Sequence, residues 1–194
     1  MRNAELVIRE LLFQAMEKKQ RVLTQSELST TLSLSLSIVN SAVKKLESLG
    51  AVDIRSRSLH IVDPKKILYY WASIRNIQKD IVYSTRVEKP VRLIEKEAPA
   101  NTTFTAFTAY KLRYHDVPAD YSEVYLYGDE TARERYPLRK GTPNVFILKK
   151  DKLADKYGST ATIAQTFVDL WNLKEWYAKE FVNAMEVKLN GVLE

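Results

Sequence analysis

The stretch from Thr24 to Val52 constrains the fold most, because it contains two short helix patterns, each preceded by a residue that can cap it. Thr24 and Glu27 stand at the spacing of a capping box, and Ser35 is a favourable N-cap for the second pattern. Gly50 follows that pattern, at the point where a left-handed residue commonly ends a helix. The apolar residues of the second pattern lie on one helical face: Val39, Val43, Leu46 and Leu49. The stretch therefore predicts two short helices joined by a tight turn, which is a helix-turn-helix.

A pattern of alternating apolar and polar residues follows the second helix. It occurs on both sides of a basic tip at residues 55–58, and such alternation predicts a β-hairpin. The alternating apolar residues are Val52, Ile54, Leu59 and Ile61. Helical periodicity at residues 4–19 precedes the motif. Together these patterns predict a winged helix-turn-helix domain over residues 1–63. A plain helical hairpin with a solvated face is the alternative, and the β-hairpin argues against it.

The outer face of the second motif helix is polar and basic. Serine, asparagine and lysine side chains on such a face can reach base edges and phosphates in the major groove of DNA. We expect Ser37, Asn40, Ser41 and Lys44 to face the major groove. We expect Lys45, Arg55 and Arg57 to contact phosphate or the adjacent minor groove. These seven residues form the predicted DNA-binding site.

The charge distribution supports the same interpretation. Residues 1–80 contain 13 lysines and arginines against 8 aspartates and glutamates, a balance of +5, whereas residues 81–194 contain 17 against 16. The excess therefore lies almost entirely on the segment with the helix-turn-helix pattern. A basic module on a nearly neutral body is typical of a nucleic-acid-binding protein.

The composition and motifs favour a non-enzymatic cytoplasmic protein. There are no cysteines, so disulfides, thiolate catalysis and cysteine-ligated metals are excluded. No apolar run is long enough for a membrane span, and no signal peptide is recognisable. The histidines, His60 and His115, lack partners at metal-ligand spacing, and no phosphate-binding or nucleophile motif occurs. We expect no catalytic residues, no cofactor and no metal. An enzyme remains an alternative only if the acids of residues 129–155 converge in space.

The rest of the chain predicts a connecting helix and a mixed second domain. Asp63 and Pro64 begin a helix that runs to about Gln78, within a connecting segment at residues 64–80. The apolar stripe of this helix, which favours core packing or a dimer seam, is Ile67, Tyr70, Trp71, Ile74 and Ile77. Beyond it, residues 81–194 predict a mixed α/β domain with a smaller sheet, which makes the protein α+β overall.

The predicted elements of the second domain follow from local patterns. Strands are expected at residues 81–87, 123–127 and 144–148, and a helix at Thr103–Tyr114. Residues 163–170 fit either a strand or the start of a helix. Asn172, with Glu175 in the capping-box position, is expected to begin the last helix.

Three segments of the second domain resemble a narrower group of proteins. They are Thr105-Ala-Phe-Thr-Ala-Tyr-Lys-Leu-Arg-Tyr-His115, Val124-Tyr-Leu-Tyr127 and Gln165-Thr-Phe-Val-Asp-Leu-Trp171. With the predicted winged helix, the chain resembles the AbiEi-type antitoxin and transcriptional-regulator family of type IV toxin–antitoxin systems. The resemblance implies an N-terminal domain that binds inverted repeats in its own promoter and represses the operon. It also implies a C-terminal domain that counteracts a nucleotidyltransferase-like toxin without requiring a stable complex.

The sequence and the resemblance therefore predict a sequence-specific repressor of AbiEi antitoxin type that binds double-stranded DNA. A homodimer is one form in which such a repressor can bind. The alternative is a protein-interaction or ligand-sensing module that contains a winged helix. In that case the outer face of the second motif helix would contact protein.

Overall fold

The computed structural model describes residues 1–191, which form an α+β protein with two small sheets, as the sequence predicts. The chain divides into two compact units. The first comprises Met1–Ile74, Thr162–Ala164 and the chain from Glu186 on; the second comprises Arg75–Ala161 and Gln165–Met185. The segment that the sequence analysis set apart as a connection is thus mostly part of the first unit, because its helix packs on the first helix of the chain.

The first unit is built from four helices and a small sheet within the described residues. The helices are α1 (Asn3–Met16), α2 (Gln25–Leu32), α3 (Leu36–Ser48) and α4 (Pro64–Ile74). The strands are β1 (Val22–Leu23), β2 (Val52–Ile54) and β3 (Leu59–Ile61), arranged antiparallel in the order β1-β3-β2. The predicted hairpin is therefore present, and β1 is a third strand that the sequence analysis missed.

Local side-chain bonds set the ends of the helices, and the predicted caps are confirmed. The Thr24 hydroxyl accepts a hydrogen bond from the Glu27 N–H at 3.1 Å, and the Glu27 carboxylate accepts one from the Thr24 N–H at 2.7 Å. Ser35 caps α3 by accepting from the Ile38 N–H at 3.4 Å. Gly50 has φ +65°, the left-handed conformation in which a side chain would be strained. The two caps thus fix the starts of α2 and α3, and Gly50 allows the chain to turn directly after α3.

In the core of the first unit, α1 packs against both α3 and α4, and α3 also packs against α2 and β2. The predicted apolar face of α3 is buried at Val39, Val43 and Leu46, while Leu49 is half-buried. Trp71 of α4 is fully buried, and its indole N–H donates to the Glu5 carboxylate at 3.2 Å. Because a buried polar group needs a partner, this bond fixes α4 against α1.

The second unit contains a four-stranded sheet in the order β4-β7-β6-β5. The strands are β4 (Ile81–Thr85), β5 (Thr103–Phe104), β6 (Val124–Gly128) and β7 (Val145–Lys149). The helices beyond α4 are α5 (Val91–Lys96), α6 (Ala106–Tyr114), α7 (Glu130–Arg135), α8 (Ile163–Trp171) and α9 (Ala178–Leu189). Strands β6 and β7 are parallel, and the connection between them contains α7. A Cβ atom on Gly128 would lie 2.9 Å from the Ala132 Cβ, so glycine lets α7 pack closely on the sheet.

Several predicted boundaries are wrong, because tertiary contacts override the local pattern. Residues 103–104 pair with β6, so the helix expected from Thr103 begins only at Ala106. Asn172 does not begin the last helix: its amide donates to the Val168 carbonyl at 2.9 Å, at the end of α8. Helix α9 starts at Ala178 instead. The helix after Pro64 ends at Ile74 rather than near residue 78, and a short 3₁₀ turn (Ile77–Asp80) follows.

A buried network of polar side chains joins the elements of the second unit. The Asp169 carboxylate accepts hydrogen bonds from Arg75 Nε at 3.0 Å, Thr105 Oγ1 at 2.7 Å and Tyr127 Oη at 2.6 Å. Arg75 also donates to Asp80 at 2.6 Å and to Tyr127 Oη at 3.0 Å. Burial by itself lowers the pKa of the Arg75 guanidinium, and its contacts with Asp169, Tyr127 and Asp80 raise it above its ordinary value. The network thus keeps two opposite charges paired in the core.

Replacing Asp169 with Ala is expected to lower the free energy of unfolding by about 3–5 kcal/mol, because a buried guanidinium loses its main carboxylate partner. Urea denaturation followed by circular dichroism measures this change. The control is Glu130→Ala, which removes an exposed carboxylate paired with Arg133 and should cost much less. Equal losses for the two variants would show that the network does not stabilise the unit.

The buried Tyr136 hydroxyl makes the free energy of unfolding depend on pH in the alkaline range. This hydroxyl donates to the Ile94 carbonyl at 2.6 Å, and burial raises its pKa to about 12. Since this value lies above the pKa of about 10 in the unfolded chain, the contribution of Tyr136 is complete below that pH and is lost as the pH rises toward 12. In urea titrations across this range, Tyr136→Phe should show a smaller fall in the free energy of unfolding than the wild type. An identical fall would contradict the assignment.

Candidate nucleic-acid interface

The burial of one face of α3 leaves the opposite face in solvent. Ser37, Ser41, Lys44 and Lys45 are exposed, and Asn40 is half-buried. All five side chains therefore lie at the surface of the first unit, where the sequence analysis expected them. Leu36, the first residue of α3, is 53% exposed although it is apolar. Sequence analysis did not name Leu36, which stands at helical spacing before Val39 but is exposed because it is the first residue of α3.

The basic side chains differ in their partners. The side chains of Lys44, Lys45 and Arg57 make no ion pair or hydrogen bond with any of the residues described. Arg55 donates to the Asp53 carboxylate at 2.8 Å, in a pair whose two side chains are both largely exposed. Exposed pairs of this kind contribute little to stability and exchange readily with other partners. Four positive charges are thus available to an anionic ligand.

The tip of the hairpin and the start of α2 enclose a small cleft of about 170 Å³. Its lining contains hydroxyl, amide and guanidinium groups and no carboxylate: Thr24, Gln25, Ser26, Arg55, Ser56, Arg57 and Ser58. The positive end of the α2 dipole adds to this electrostatic character. The chemistry of the cleft is that of a site for a phosphate oxygen. Sequence analysis identified the two arginines but not the α2 residues, because their proximity depends on the fold.

A larger groove of about 830 Å³ lies along α3 between α1 and α4. Its apolar lining comes from Ala4, Ile8, Ile38, Ala42 and Tyr70, and its polar lining from Ser37, Ser41, Lys44, Lys45 and Ser48. Four of the seven predicted DNA-binding residues therefore share this groove, whereas Arg55 and Arg57 lie in the cleft. Tyr70, expected on the apolar stripe of α4, is half-buried and lines the groove.

One side chain connects the two groups of residues. Gln25, the first residue of α2, lines the cleft, and its Oε1 accepts a hydrogen bond from Asn40 Nδ2 at 3.1 Å. The two amides are 15 residues apart in the sequence. No sequence pattern identifies this pair, since it forms only when the turn brings α2 onto α3. Gln25 therefore joins the candidate interface.

The acids of residues 129–155 were the candidates for an enzyme site, and two of them have local partners. Asp129 accepts hydrogen bonds from Thr131 and from Asn101 Nδ2, and the Thr131 hydroxyl bond is the main cause that lowers its pKa. Asp155 pairs with Lys150 at 2.5 Å. In the part of the chain that the structure describes, no group of three or more histidine, aspartate or glutamate side chains is placed to hold a metal ion. The same part of the chain has no helix with the length and apolar character that a membrane crossing requires.

Comparison of this chain with protein-family models, with curated proteins and with solved structures finds no match.

Proposed function

We propose that the first unit is a winged helix-turn-helix and that the protein is a sequence-specific repressor that binds double-stranded DNA. The observation that supports this most is the outer face of α3. Its serine, asparagine and lysine side chains point away from the core, next to a hairpin with two exposed arginines. Three helices followed by an antiparallel hairpin are the elements of a winged helix, and such domains place one helix in the major groove.

In this proposal α3 enters the major groove of the duplex. Ser37, Asn40, Ser41 and Lys44 contact base edges, and the exposed Leu36 is available to the methyl group of thymine. The cleft beside the hairpin tip holds a backbone phosphate through Arg55 and Arg57. Lys45 contacts a further phosphate from the side of the groove along α3. Phosphate contacts orient the protein on the duplex, and base contacts supply sequence preference.

The electrostatics of the first unit favour an anionic partner. The basic excess of the chain lies in residues 1–80, and three of the four basic residues among the proposed contacts have no partner among the described side chains. A protein that neutralises phosphates with such groups releases counterions, so its affinity falls steeply with salt. We propose a cytoplasmic location, which the absence of cysteines from the sequence favours.

We extend the proposal to an antitoxin of AbiEi type, through the resemblance of the second unit. The three segments that resemble that family contribute Thr105, Tyr127 and Asp169 to one buried network. The three segments, which are separate in the sequence, therefore meet at one point in the core. By this resemblance the protein represses its own operon at inverted repeats, as a homodimer or as two separate copies, and antagonises a nucleotidyltransferase-like toxin.

The groove along α3 favours a second candidate function, a protein-interaction or ligand-sensing module. The proposed DNA contacts do not use the apolar lining of this groove, which includes Ile8, Ile38 and Tyr70. A volume of about 830 Å³ lies in the range of ligand pockets, about 300–1,000 Å³. The two functions share Ser41 and Lys44, so an occupant of the groove would compete with DNA. If the protein binds no DNA duplex, this second candidate function is favoured over the first.

Replacing Arg55 and Arg57 together with Ala should weaken binding to every duplex and reduce the slope of log K against log salt by about 1 for each lost phosphate contact. Fluorescence anisotropy over a series of salt concentrations measures both quantities. The matched control replaces Arg139 and Lys140, two exposed basic residues of the second unit, and should leave the slope unchanged. An unchanged slope in the Arg55 and Arg57 variant would remove the hairpin from the interface.

Replacing Asn40 with Ala should cost about 1–3 kcal/mol on the preferred duplex and much less on a random one, because a base contact is lost and phosphate contacts remain. Competition titrations with the two duplexes measure the difference. Equal losses on both duplexes would mean that Asn40 recognises no base.

A further inference from the structure

The orientation of the Asn40 amide is set by a side chain from a different helix. An asparagine amide has two N–H donors and one oxygen acceptor. Asn40 Nδ2 donates to Gln25 Oε1 at 3.1 Å, which uses one donor. The side chain of Asn40 has no other hydrogen bond within the described part of the chain, so its second N–H and its Oδ1 remain available.

The available groups of Asn40 match one base edge. In the major groove adenine presents N7 as an acceptor and its N6 amino group as a donor, and a side-chain amide can bind both at once. Guanine presents N7 and O6, which are both acceptors, so the Oδ1 of Asn40 would meet a second acceptor instead of a donor. An amide with one free donor and one free acceptor therefore discriminates in favour of adenine.

Gln25 is suited to hold Asn40, because its own backbone is fixed. It directly follows Thr24, whose capping box with Glu27 satisfies the start of α2. The Ser35 cap fixes the start of α3 in the same way. Ordering a flexible side chain on binding costs affinity, equivalent to about 2- to 10-fold for one residue. A partner that orders the amide before DNA arrives removes part of that cost.

We propose that Gln25 is a positioning residue that orients the Asn40 amide to select adenine in the major groove. The proposal rests on the proposed function and adds to it the base that α3 recognises. Gln25 acts through Asn40, whereas its neighbours Arg55 and Arg57 in the cleft act on phosphate. Its removal should therefore alter base preference more than overall affinity.

The test compares three variants with the wild type by selection from a pool of randomised duplexes. Gln25→Glu keeps an acceptor for Asn40, Gln25→Met has similar length but no acceptor, and Asn40→Ala removes the amide itself. The selected sequences identify the position at which Asn40→Ala loses its preference. Dissociation constants are then measured on duplexes with each of the four bases at that position.

The wild type should prefer adenine at this position by about 5- to 150-fold. Gln25→Glu should keep that preference to within about 2-fold, while its affinity for all duplexes falls because a carboxylate lies beside the phosphates. Gln25→Met should lose about 2- to 10-fold of the preference for adenine, measured as a ratio of dissociation constants so that any loss of contact in the cleft, which affects all four bases alike, cancels. Thermal unfolding of each variant shows whether the fold is intact. A purely structural role of Gln25 would lower affinity for all four bases equally.

Two results would overturn the inference while leaving the proposed function in place. One is that the wild type selects a distinct DNA sequence, but Asn40→Ala keeps the same base preference at every position of that sequence. The other is an adenine preference in Gln25→Met equal to that of the wild type. Failure of the wild type to enrich or bind any duplex would instead overturn the proposed function, and this inference with it.

Discussion

The burial of one face of α3 is the constraint on which the proposed interface depends. Val39, Val43 and Leu46 are buried on the helix that packs against α1, α2 and β2, and burying each such side chain stabilises the fold by about 1.5–3 kcal/mol. Since helical geometry fixes the direction of every side chain relative to that face, the outer residues have no freedom to turn inward. The same contacts that stabilise the first unit thus determine which side chains meet a partner.

The second unit depends on a different kind of interaction. Asp169 and Arg75 are charged and buried, and such a pair persists only when its hydrogen bonds are satisfied. Thr105 and Tyr127 complete the bonds of the carboxylate, so one residue each from β6, α8 and the turn before α6 meets at one point. The three segments on which the proposed AbiEi-type resemblance rests contain these residues. Their pattern of small, aromatic and acidic residues therefore has a physical reason in the core, whatever the partner of this unit.

Local chemistry explains which features could be predicted from the sequence. The capping residues Thr24 and Ser35, the left-handed Gly50 and the alternation of the hairpin each act within a few residues, so their patterns were sufficient. Asn172 shows the limit, because the same side chain can begin one helix or end another, and only the fold decides. Trp176 would lie inside a helix that began at Asn172, but α9 begins two residues after it, and its side chain is 79% exposed.

The candidate site shows the same division. Periodicity alone placed the seven predicted residues on the surface side of α3 and at the hairpin tip. The bond between Gln25 and Asn40, the cleft beside α2 and the contribution of Tyr70 to the groove are contacts between elements, and no local pattern specifies them. Sequence analysis therefore predicted which residues of the candidate interface lie at the surface but not how they are grouped.

The most direct test of the central claim is a titration of the intact protein against a duplex from the region upstream of its own coding sequence. A random duplex serves as competitor, and the titration is repeated over a range of salt. The proposed repressor should prefer the upstream duplex, by the factor of about 10³ or more that separates specific from non-specific binding, and its affinity should fall steeply with salt. Failure to bind any duplex at low salt would contradict the account and favour the groove along α3 as a site for a protein or a small ligand.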